Sequence, residues 1–75
     1  MPHLSPISPK KLFKFLEKEG FECVRIKGSH HFFLNHTDKR TTSVPLHGRR
    51  DIGTGLLRKI LQDIEVSAEE FRKRI

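Results

Sequence analysis

The chain has 75 residues, with 15 Lys and Arg against 9 Asp and Glu, a formal charge of +6 and a single cysteine. That length allows one domain with one small core, and excludes a deep cofactor pocket, because a domain of this size buries only about 60% of the surface its unfolded chain exposes. The lone Cys23 excludes an internal disulfide and fits a reducing compartment. No apolar run approaches bilayer length and the N-terminus lacks the apolar segment of a signal peptide, so the expected setting is the cytoplasm, with no membrane partner.

In chain order, residues 1–7 contain two prolines and little pattern, and read as a flexible arm before a single domain over 8–75. Ser8-Pro9 is a helix start, a hydroxyl at the cap followed by a proline whose missing N–H does no harm there. Leu12, Phe13, Phe15 and Leu16 give the apolar stripe of a helix from about Pro9 to Glu19, stopped by Gly20. "FECVRI" alternates as a strand, with Phe21, Cys23 and Arg25 on one side and Glu22, Val24 and Ile26 on the other. After the turn "KGS", "HHFFLNH" is the second strand. A third runs from about Arg40 to Leu46, with Pro45 at its end or on an edge.

"GRRDIGTG" reads as a loop. Leu56, Leu57, Ile60, Leu61 and Ile64 recur at helical spacing and predict a helix over 54–64. "SAEE" is a capping box, Ser67 with Glu70, opening a short final helix with Phe71 and Ile75. The predicted fold is therefore α+β, ordered α-β-β-β-α: a three-stranded antiparallel sheet with helices packed on one face and a short C-terminal helical tail. That is the arrangement of a double-stranded-RNA-binding (dsRBD-like) domain.

Charge is sorted along this order. Between residues 25 and 50 stand Arg25, Lys27, Lys39, Arg40, Arg49 and Arg50 against one acid, Asp38, which points to a polyanion partner. Within that stretch, Gly28-Ser29-His30-His31 raises the possibility of acid–base chemistry, since histidine ordinarily titrates near neutral pH. Neighbouring strand residues face opposite ways, so one of the two imidazoles must look outward. The same geometry argues against a shared metal ion, and the five histidines lack the paired spacing of zinc ligands. No cofactor and no small-molecule partner are expected.

Cys23 reads as a buried small hydrophobe. Of Phe32 and Phe33, one should enter the core and the other pack lightly or stack on a base. Arg49 and Arg50, with the glycines before the second helix, suit phosphate but form no Walker loop.

Taken together, "RIKGSHHFF", a polar turn ending in Lys39-Arg40, "TSVPLH", "DIGTGLLRKILQD" and a later "EEF" resemble the HicA/YcfA family of small toxins from toxin–antitoxin pairs, over most of the chain. The resemblance implies an mRNA interferase, an endoribonuclease cleaving messenger RNA without metal, neutralised by a HicB-like antitoxin. The family's catalytic histidine follows the Gly-Ser turn, which corresponds to His30; some members carry it one residue later, at His31. Both stand as candidates, with His30 preferred. RNA contacts would come from Arg25, Lys27, Gly28, Ser29, Lys39, Arg40, Arg49 and Arg50. Two departures are visible: a longer N-terminal arm, and "HTDK" where members have "HPDG". A non-catalytic RNA-binding module is the alternative that shares this fold and charge.

Overall fold

A computed structural model describes residues 3–75. Its elements are α1 (Pro9–Lys18), β1 (Phe21–Lys27), β2 (His30–Asn35), β3 (Thr41–Pro45), α2 (Thr54–Asp63) and α3 (Ala68–Arg74). The strands form one antiparallel sheet in the order β1-β2-β3, so β1 and β3 are both edges. Helices α1 and α2 pack on the same face, α1 against β1 and α2 against β3. The α+β, dsRBD-like arrangement expected from the sequence is the one observed.

Local chemistry explains the boundaries. The Ser8 hydroxyl accepts the Lys11 N–H at 3.2 Å and Pro9 takes the first helical position. The Ser67–Glu70 capping box is complete, at 3.0 and 3.2 Å. Gly20 leaves α1 at φ +93°, a conformation other residues enter with strain. Leu12, Leu16, Val44, Leu57, Ile60 and Ile64 are fully buried, each contributing about 1.5–3 kcal/mol by leaving water. Phe15 and Phe71 meet edge to face at 4.8 Å and bind α3 to α1.

Three expectations change. The alternation of β1 breaks at a bulge between Cys23 and Arg25. Cys23 faces Phe33 on the helix side, but Arg25 faces Phe32 on the open side, so the two do not share a face. One extra residue in a strand reverses everything after it. Cys23 is exposed, not buried, because β1 is an edge whose neighbour on one side is solvent.

The arm is also part of the fold. Ile7 is buried and exchanges hydrogen bonds with Ile52 at 3.1 and 2.7 Å, and Leu4 packs against the core. Met1 and Pro2, the start of that arm, lie outside the described residues.

Candidate functional site

The tight turn at Gly28-Ser29 joins β1 to β2. Gly28 sits at φ +59° with open space where a side chain would be. The Ser29 carbonyl accepts the Leu46 N–H at 2.7 Å, bringing the end of β3 against the start of β2. The loop leaving β3, with exposed His47, Arg49 and Arg50, therefore departs from the same end of the sheet. Ile52 fixes its far end through Ile7. Gly53 then caps α2 without a side-chain hydrogen bond, leaving the first N–H groups of that helix to solvent or an anion.

The two histidines occupy different surroundings. His31 pairs with Ile26 and Val44 and lies on the helix face. It is half-buried, with the Phe13 ring 5.4 Å from its own and its Nδ1 3.4 Å from the Ser29 carbonyl oxygen. A carbonyl only accepts, so the neutral tautomer that makes this contact carries its proton on Nδ1 and its lone pair on Nε2. His30 is exposed on the open face between Lys27 and Pro45, its ring 6.2 Å from that of Phe32 at an interplanar angle of 28°. The Arg25 guanidinium stands over the same Phe32 ring, 5.9 Å from its centroid.

The remaining cations divide between the two ends of the sheet. Arg25, Lys27, Arg49 and Arg50 make no ion pair among the described residues. Lys39 and Arg40 lie in the β2–β3 turn, at the opposite end from Gly28-Ser29. Arg40 is engaged in the structure: its Nε bonds Asp38 at 2.7 Å, another guanidinium nitrogen donates to the Ile64 carbonyl, and the group lies 5.3 Å from the Phe21 ring centroid. The Arg40 backbone N–H and then its side chain hold the Asp38 carboxyl below the usual carboxylate range.

Sequence reasoning missed the role of Phe13. Its place in the helical stripe signals core packing, and nothing local says that the ring bridges Phe33, at 5.0 Å, and His31. No three His, Cys, Asp or Glu side chains converge as metal ligands among the described residues. A groove of about 750 Å³ between residues 3–8, α1 and α3 contains neither His30 nor His31. No helix of the described residues is long and apolar enough to cross a membrane.

One-sided helices on a three-stranded sheet, with tandem imidazoles beside basic loops, define a small basic domain of the dsRBD-like class. Residues 9–66 match the family described as the HicA toxin of bacterial toxin–antitoxin systems. The chain belongs to that family, and membership implies an antitoxin partner. No curated protein and no solved structure matches significantly.

Proposed function

We propose that the protein is a toxin endoribonuclease that cleaves messenger RNA by histidine acid–base catalysis without metal, and that His31 is the group that moves the proton. The observation carrying this assignment is that the His31 ring is held on two sides, by Phe13 at 5.4 Å and the Ser29 carbonyl at 3.4 Å, at the end of the sheet where basic loops meet. His30 has the same chemistry but projects from the open face without a hydrogen-bond partner for its ring among the described residues.

RNA brings its own nucleophile, which is why no metal-bound water is required. The Nε2 lone pair of His31 takes the proton of a ribose 2′-hydroxyl as that oxygen bonds to the adjacent phosphorus. The bond from phosphorus to the 5′-oxygen breaks, that oxygen collects a proton from water, and the His31 imidazolium returns its own proton to solvent. The products are a 2′,3′-cyclic phosphate and a 5′-hydroxyl. Lys27, Ser29 and the backbone around Gly28 stabilise charge on the phosphoryl oxygens, while Arg25, Arg49 and Arg50 hold the flanking phosphates. A HicB-like antitoxin silences the toxin by covering this end of the sheet.

The test is cleavage of RNA in EDTA by purified wild type, His30→Ala and His31→Ala, each shown to be folded. Removing the acid–base group costs about 10²–10⁴-fold, and that loss is expected for His31→Ala. Full activity in His31→Ala with loss in His30→Ala moves the chemistry to His30. Full activity in both refutes histidine catalysis, and a wild type that binds RNA but leaves it intact is a binding module.

A further inference from the structure

The face of the sheet opposite the helices has its own architecture. Because of the bulge in β1, Arg25 and Lys27 both turn to this side, opposite Phe32 and His30. The four side chains form one patch: the Arg25 guanidinium 5.9 Å from the Phe32 centroid, and the His30 ring tilted 28° from that of Phe32 at 6.2 Å. Next to Phe32 lies a shallow depression of about 470 Å³ walled by Val24, Leu34, Thr41 and Ser43. Asp63 reaches its margin and accepts a hydrogen bond from Thr42 at 2.9 Å. Glu22 is on the same face at the far end, its carboxylate against His36 at 2.6 Å.

We propose that the Arg25–Phe32–His30 patch on the open sheet face is a stacking platform for the bases of single-stranded RNA flanking the cleaved link. This rests on the nuclease reading for its substrate, and adds base contacts by the Phe32 and His30 rings to the phosphate contact of Arg25. Charge complementarity favours a nucleic acid, since the cations on this face next to the rings have no acidic partner among the described residues. Near-parallel π faces with a guanidinium beside one of them suit bases, which all present a flat face whatever their sequence. A strand lying here reaches the Gly28-Ser29 turn and passes over the end of the sheet toward His31, because His30 and His31 are consecutive.

The experiment uses a single-stranded RNA carrying 2-aminopurine, whose fluorescence falls on stacking, and the same sequence as a duplex. Stacking on an aromatic side chain is worth about 1–3 kcal/mol per base, so Phe32→Ala should weaken single-strand binding about 5–150-fold and abolish the quench, with duplex binding unchanged. Phe32→Leu, which keeps a branched apolar side chain but no ring, should behave like Phe32→Ala. His30→Phe, which retains a ring, should keep single-strand binding and the quench, whereas His30→Ala should lower both. Single-strand binding by both Phe32 variants within twofold of wild type overturns the platform while leaving the nuclease reading intact. Unquenched binding by wild type also overturns it. Quenched, Phe32-dependent binding by a wild type that never cuts supports the platform and refutes the nuclease. If His30→Phe binds with full quench but does not cut, the platform stands and the proton chemistry belongs to His30.

Discussion

Asn35 is the point at which the end of the sheet remote from the histidines is held together, and its removal has a calculable cost. Its side chain is nearly buried and makes three hydrogen bonds: Nδ2 donates to the Glu19 carbonyl at 3.3 Å, and Oδ1 accepts the N–H groups of Thr37 at 3.0 Å and Asp38 at 3.4 Å. These ties join the turn after α1 to the turn after β2. A net hydrogen bond is worth about 0.5–1.5 kcal/mol. Thr37 and Asp38 are exposed, so water replaces part of what their amides lose. Asn35→Ala should therefore cost about 2 kcal/mol, or about 8–16 °C in Tm for a domain of this size.

Gly20 deepens the test. A Cβ there would lie 3.2 Å from the Asn35 amide nitrogen, at a φ of +93°. Gly20→Ala should be destabilising by at least about 1 kcal/mol from the backbone alone, and less than additive with Asn35→Ala, because the double variant relieves the clash. Urea unfolding with unchanged slope measures all three variants. RNA cleavage per folded molecule should stay at the wild-type value, since this corner is at the other end of the sheet. A cost for Asn35→Ala below about 0.5 kcal/mol, set against the value per hydrogen bond, refutes the reasoning.

Three further outcomes are expected. Phe13→Ala removes the ring between Phe33 and His31 and should cost about 2–3 kcal/mol, below the 3–5 of a fully buried phenylalanine; among molecules still folded it should lower kcat more than it raises KM, and an unchanged kcat removes the positioning role. Arg40→Ala should lower stability and leave the salt dependence of RNA binding as it was, whereas Arg25→Ala should flatten that dependence by about 0.7 per phosphate contact on single strands. The Asp38 carboxyl is held below its ordinary range by the Arg40 N–H and side chain. Its folded value is depressed, so its stabilising effect is present above the ordinary carboxylate range near pH 4 and lost as pH falls through the folded value. The stability gap between wild type and Asp38→Asn should accordingly close in acid, and a gap unchanged down to about pH 3 contradicts the assignment.

The helices and their caps were legible because each is written locally: Ser8-Pro9, Gly20 and the Ser67–Glu70 box need no distant partner. The bulge at Val24 was not, since "FECVRI" satisfies strict alternation and only the pairing with Phe32 and Phe33 reveals the extra residue. The same gap explains Cys23, whose exposure follows from an edge position that strand order alone determines. Arg40 looked like one more free cation, yet its partner carbonyl on Ile64 is 24 residues away. The division of the paired histidines between two faces followed from strand geometry, and the Phe13 contact that distinguishes them came only from the tertiary packing.

The short bridge between Ile7 and Ile52 has a practical consequence. It fastens the opening segment of the protein to the very loop that supplies Arg49 and Arg50, so a purification tag or a trimmed start is not a neutral choice. Cutting before Ser8 would unplug an aliphatic side chain from the interior and untie two backbone bonds, loosening a basic rim from which the cut lies far away in sequence. Toxicity measured on such a shortened protein would report the damage to that rim as well as the chemistry under study.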